Sequence, residues 1–352
     1  MKVIQILQTI SYGDAISNEV LAIRKLLMEN GYTTSIYAEY IRDKKIDGFV
    51  QHINNLMENI EKDDLVIYHY CIGSELTNWF KNIECKKLLI YHNITPSKYF
   101  KNYNQSMTEV TFVGRQELSV LVGSVDIIIA DSNYNKQELT EIGFSDVSVI
   151  PLIIDFKSYN IPPDKKIIEK YKDGKKNILF VGRIAPNKRQ EDLILAFEYY
   201  KKNINVNSRL ILVGANAVPK YFDKIKYLPE KLGLSDVIFS GHVKFDELLA
   251  YYSVADVFLC MSEHEGFCVP LLESMYFDIP VIAYGTSAIP DTLGNSGLVF
   301  FKKDFARIGE LIDIVNTDEI VRKHVINKQR IRLKDFDYKK IGELFLRTIK
   351  RL

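Results

Sequence analysis

Residues 255–273 read Ala-Asp-Val-Phe-Leu-Cys-Met-Ser-Glu-His-Glu-Gly-Phe-Cys-Val-Pro-Leu-Leu-Glu. Ala255–Cys260 carries apolar side chains on both alternating faces from Val257 onward, the mark of a strand covered on each side. Pro270 suits the first turn of a helix, where its missing N–H is no loss. Glu265 then stands in the loop and Glu273 one turn into the helix. The N–H groups of Gly266, Phe267, Cys268 and Val269 lie where a helix N-terminus attracts an anion. Gly266 lets backbone approach a ligand closely. Two carboxylates held there can each accept hydrogen bonds from the paired hydroxyls of a sugar or ribose. Taken singly, Glu265 also reads as a plain loop charge and Glu273 as a solvated helix charge.

The same strand, loop and helix unit recurs on either side. Before it, candidate strands are Val3–Leu7, Thr33–Tyr37, Leu65–Tyr70, Lys87–Tyr91, Asp126–Ala130 and Val147–Ile150, then Asn177–Val181, Arg209–Val213 and Val237–Phe239; after it come Pro280–Ala283 and Leu298–Phe301. Amphipathic stretches such as Asn18–Asn30, closed by Gly31, separate them. The pattern pauses between Pro151 and Lys176, where Pro162, Pro163, Asp164 and Gly174 break any period. This predicts an α/β chain of two Rossmann-like domains, residues 1–155 and 156–337, with parallel sheets facing across a cleft. The closing helix, 338–352, has no strand after it and is expected to pack back on the first domain. Ligands of open sheets sit at strand carboxyl ends.

Composition narrows the partners. Lys and Arg number 46 against 45 Asp and Glu, so the net charge of +1 lacks the strongly basic face of a nucleic-acid binder. No apolar segment nears the roughly 20 residues of a membrane span, and the opening run is too short for a signal peptide. A reducing cytoplasm is the expected address. Cys71, Cys85, Cys260 and Cys268 share no metal-ligand spacing, and Cys71 and Cys260, in or beside apolar runs, read as buried free thiols.

A second constellation is Phe180-Val181-Gly182-Arg183-Ile184-Ala185-Pro186-Asn187-Lys188. A strand ends at Gly182 and delivers a guanidinium that can fork across phosphate oxygens, with a lysine as a mobile point charge. Glycine turns also close the strands before Gly214, Gly241-His242-Val243 and Gly285. In the first half, His92 ends the strand before Asn93-Ile94-Thr95-Pro96. Residues 95–106 interleave Lys98 and Lys101 with Tyr99, Phe100 and Tyr103. That segment suits a sugar acceptor or a peripheral contact with an anionic lipid surface; it reads equally as a helix with solvated lysines.

Together these residues resemble glycosyltransferase family 4, retaining enzymes of the GT-B fold. The resemblance rests on the Glu-seven-Glu pair Glu265 and Glu273, on Gly182-Arg183 with Lys188, on Ser240-Gly241-His242-Val243 and on Pro280-Val281-Ile282-Ala283. Ile289-Pro290-Asp291-Thr292 looks like a family segment with Asp in place of Glu. It implies a nucleoside-diphosphate sugar as donor, bound by Gly13, Gly182, Arg183, Lys188, Gly214, His242, Val243, Glu265, Gly266, Phe267, Cys268, Val269 and Glu273. Glu265 would contact the sugar, Glu273 the ribose, and Arg183 and Lys188 the diphosphate, with His92 beside the reacting sugar. Gly13-Asp14-Ala15 matches the family's first glycine loop, with Asp14 where a second glycine is usual, and Gly114-Arg115 and Ala130-Asp131-Ser132-Asn133 are similar too. The acceptor, a glycan or a lipid-linked one, is expected near Asp14, Lys98 and Tyr99 of the first domain. No cofactor is expected and no metal, since no Asp-x-Asp motif suited to holding magnesium on a diphosphate is found. Two other readings stay open: a nucleotide-sugar epimerase of the same fold and a non-catalytic binder of nucleotide sugars.

Overall fold

A computed structural model describes residues 1–11, 13–42, 48–56 and 60–352. The chain divides into two compact units, one of residues 1–97, 106–155 and 336–352, the other of 98–105 and 156–335.

In the first unit the strands are β1 Val3–Ile10, β2 Thr34–Ile41, β3 Val50–His52, β4 Leu65–Tyr70, β5 Lys86–Tyr91, β6 Ile127–Ala130 and β7 Ser148–Val149. They form one sheet in the order β3-β2-β1-β4-β5-β6-β7, parallel throughout. Alternation along a strand sends side chains to opposite layers. Thus Ile4, Val66 and Leu89 join one core, while Val3, Leu65 and Leu88 join another. The second layer is completed from the far end of the chain. Helix Tyr338–Ile349 buries Ile341, Phe345, Leu346 and Ile349 there, against Ile23 and Leu27 of helix Ala15–Glu29. Gly342 makes the approach close, because a Cβ on it would lie 2.8 Å from Leu26 Cδ1.

The second unit holds β8 Lys176–Val181, β9 Ser208–Val213, β10 Val237–Gly241, β11 Val257–Cys260, β12 Val281–Tyr284 and β13 Leu298–Phe300. Their order is β10-β9-β8-β11-β12-β13, again parallel. In both sheets the winding reverses beside the first strand: between β1 and β4, and between β8 and β11. Such reversals leave room at the strand carboxyl ends.

Two features depart from the sequence reading. β3 has no counterpart there, since Val50-Gln51-His52 is too short and polar to show a period. Residues 98–105 group with the second unit, not the first. The aromatic side chains explain it: the Tyr103 ring packs edge-on against Tyr221 with centroids 5.4 Å apart, and Lys224 donates to the Tyr103 hydroxyl at 3.1 Å. Among the described residues, no helix is long and apolar enough to cross a membrane.

Candidate functional site

The carboxyl ends of β8 and β11 lie side by side, and each continues into a loop that carries charge. After β8 the turns are stitched together: Gly182 N–H donates to the Val213 carbonyl at 2.9 Å and Gly214 N–H to the Gly241 carbonyl at 3.0 Å. Gly214 is required by this closeness, because a Cβ on it would lie 2.0 Å from the Gly182 carbonyl oxygen. Arg183 follows, exposed; among the described residues its guanidinium has no hydrogen-bond or ion-pair partner, and only its carbonyl is engaged, by Gln190. The single turn Pro186–Lys188 then brings Lys188 Nζ to 2.6 Å from Glu265 Oε2.

That ion pair is braced from both sides. Asn187 Nδ2 donates to the His264 carbonyl at 3.1 Å, and Glu263 N–H donates to the Asn187 carbonyl at 2.8 Å. Ser287 Oγ accepts from Glu265 N–H at 2.8 Å. Glu265 is therefore buried yet held at the mouth of β11 by three separate loops. Asn187 and Ser287 were legible only as parts of turns; nothing in their spacing announces a clamp.

Helix Val269–Tyr276 starts from Cys268, whose φ of 73° is left-handed and unusual for a residue with a Cβ. Glu273 is buried on this helix, and both of its oxygens are taken. Tyr159 donates to Oε1 at 2.6 Å and Tyr252 to Oε2 at 2.5 Å. Burial pushes the carboxyl above its usual range while the two hydroxyls pull it back. The sequence reading put a ribose on Glu273 and had no place for either tyrosine. Tyr159 lies 114 positions away along the chain, so no local pattern could have supplied it. Phe267 offers its carbonyl to Thr292 Oγ1 at 2.5 Å. After Gly241, with φ of 72°, His242 is exposed and Val243 half-buried.

The first-unit candidates differ more. Gly13 has φ of 84° in an exposed turn, but Asp14 is the N-cap of helix Ala15–Glu29, its Oδ2 accepting from Ser17 N–H at 3.1 Å and Ser17 Oγ at 2.9 Å. Gly114-Arg115 lies inside helix Gln105–Glu117, where Arg115 donates to the Ile94 carbonyl and pairs with Glu138. Tyr99 and Lys98, which group with the second unit, were assigned by sequence to an acceptor; Tyr99 donates to the Glu263 carbonyl at 3.3 Å, and Lys98 is exposed beside the Tyr99 ring.

His92 sits in a buried network of side chains. Its side chain is only 1% exposed, and both ring nitrogens are engaged. Nδ1 lies 2.9 Å from Asp131 Oδ2, Nε2 lies 3.0 Å from His69 Nδ1, and His69 Nε2 lies 3.0 Å from Gln5 Oε1. Gln5 Nε2 donates to the Val20 carbonyl, so Gln5 Oε1 is the acceptor. His69 then donates from Nε2 and accepts at Nδ1, which leaves His92 protonated on both nitrogens. The electrostatics agree. Against burial, Asp131 and Glu19 raise His92 to about 9, whereas burial and the neighbouring cation hold His69 well below its usual value. Glu19, 3.5 Å away, is pushed up to about 8 by burial. Both ring nitrogens of His92 are thus engaged within the first unit.

With this geometry in hand, likeness to known proteins is informative. Residues 163–332 match the family model described as glycosyl transferases group 1. The serotype-specific mannosyltransferase WbdA of Escherichia coli is 28% identical over 169 residues, 47% of this chain and 20% of WbdA. The capsular polysaccharide biosynthesis glycosyltransferase CapM of Staphylococcus aureus is 26% identical over 245 residues, 68% of this chain and 61% of CapM. Matches to such relatives thus span only part of their length. Anabaena HepE, solved in complex with UDP-glucose, aligns over 100% of both chains with a TM-score of 0.79 at 16% identity. That likeness fixes the fold: two Rossmann-like α/β domains of the GT-B type.

Proposed function

We propose that the chain transfers a sugar from a UDP- or GDP-sugar to a glycan or lipid-linked acceptor in bacterial surface polysaccharide or glycoconjugate assembly. The observation that carries this is the pairing of Lys188 with Glu265 beside an exposed Arg183, whose guanidinium has no partner among the described residues, at the reversal point between β8 and β11. The segment that holds all three is the one matching the group 1 family. Arg183 and Lys188 suit the charge that builds on a departing diphosphate, as preorganised cations do without reorganisation cost. Glu265 is fixed where it can accept from donor hydroxyls, and Glu273, having lone pairs beyond those its tyrosines use, can accept from a ribose. The reading includes retention of the donor's anomeric configuration and no metal, because fixed cations already offset the leaving-group charge.

Turnover tests it. Each UDP- and GDP-sugar is incubated with the chain and with lipid-linked or glycan acceptors, and nucleoside diphosphate release is followed. Acceptor-dependent release with one donor is expected. Binding without release would favour a non-catalytic role.

A further inference from the structure

Cys260 closes β11 and Cys268 opens the helix that follows, so the loop between them returns one thiol to the other. Cys260 Sγ, Cys268 Sγ and a Glu265 carboxylate oxygen all lie within 4.8 Å of one another. No regular sequence spacing announces this, because the loop bends back through the left-handed Cys268. A residue with a Cβ adopts this left-handed conformation only at a cost, and it brings the Cys268 side chain close to Cys260. Tetrahedral Zn2+ places its sulfur ligands about 2.3 Å from the metal, hence roughly 3.8 Å from each other. The three atoms need only small movements to reach that arrangement.

We propose that Cys260, Cys268 and Glu265 form a site for one thiophilic divalent cation of the Zn2+ class. Two thiolates and a carboxylate are what such ions select over Mg2+ or Ca2+, which favour oxygen ligands. Charge also closes. Two thiolates and Glu265 carry three negative charges; the cation and Lys188, 2.6 Å from Glu265, carry three positive ones. Cys260 is fully buried with Ser262 Oγ 3.4 Å from its sulfur, and Cys268 is half-buried, so the ion enters from the Cys268 side. A three-ligand site keeps one position open for water. Occupancy draws Glu265 onto the metal and fixes residues 262–268. The consequence, inhibition, rests on the donor reading of Glu265; the binding does not.

The full chain, reduced and stripped of metal, is titrated with Cd2+ while the ultraviolet thiolate-to-cadmium charge-transfer band is followed. The band should saturate at one ion per chain and be displaced by Zn2+. Cys260→Ser should weaken binding by at least about tenfold, the loss typical even for partners behind a ligand, while Cys85→Ser leaves it unchanged. In the unaltered chain, Cd2+ should shield the half-buried Cys268 from alkylation, mapped by mass spectrometry, which removes dependence on any variant folding. No saturating band, or shielding of Cys71 or Cys85 instead, overturns the site. Shielding of Cys268 without loss of sugar transfer would keep the site and sink the donor role of Glu265.

Discussion

Arg183 and Lys188 come from one turn and meet different surroundings. Lys188 is committed to Glu265, so removing it leaves a buried carboxylate unpaired and confounds catalysis with stability. Arg183 is exposed and unpaired, which makes Arg183→Ala the cleaner probe. It should lower kcat about a hundredfold or more, the range seen when one donor to a developing oxyanion is lost, with a smaller change in donor affinity. A raised KM at unchanged kcat would mean Arg183 binds ground and transition states alike. Glu273→Gln keeps the volume and removes the charge. Nucleoside diphosphate affinity should fall about tenfold, since a charge-assisted hydrogen bond contributes ~1.5–3 kcal/mol. Unchanged affinity would make Glu273 an internal clasp for Tyr159 and Tyr252. The identity of these residues was readable because each sits beside a strand end or a proline. Their partners were not, since Asn187, Ser287, Tyr159 and Tyr252 act across the fold.

Elements explain why the sequence showed the strands and not the surroundings of His92. β6 and β11 are apolar throughout, and a fully covered parallel strand leaves that signature without any tertiary information. The end of β5 leaves no comparable sign. Whether its histidine turns outward or inward depends on Gln5, Glu19, His69 and Asp131, which come from four other places in the chain. The buried cluster also makes a prediction. Glu19 is raised from 4.5 to about 8 and His92 from 6.5 to about 9. Both groups therefore hold protons more tightly in the folded state. Their stabilisation is full below the unfolded values and is lost as pH rises through the folded ones. The first unit should melt at a lower temperature at pH 9 than at pH 6.5. Trp79, the single tryptophan, packs against this unit's core and reports the transition by fluorescence. In His92→Gln the difference between the two pH values should shrink. Equal melting temperatures in the unaltered chain would show that the cluster does not titrate there.

At the scale of the whole chain, the two sheets were legible from repetition alone, and the division near residue 155 from the run of proline and glycine after it. The placement of residues 98–105 was not. Their lysines and aromatics look alike on either unit, and only packing on Tyr221 decides. Two properties of the proposed reaction belong to the complete chain. Activity should persist in EDTA; loss restored by Mg2+ or Mn2+ would contradict a leaving group neutralised by protein cations alone. The product linkage, read by NMR, should keep the donor's anomeric configuration. Both presuppose that the chain binds a nucleotide at all, and isothermal titration of the intact protein with UDP and with GDP tests this most directly. One of the two should bind at a single site, with an affinity that Glu273→Gln reduces about tenfold. Absence of binding heat, together with an unchanged melting temperature at saturating concentrations of both, would contradict the account at its centre.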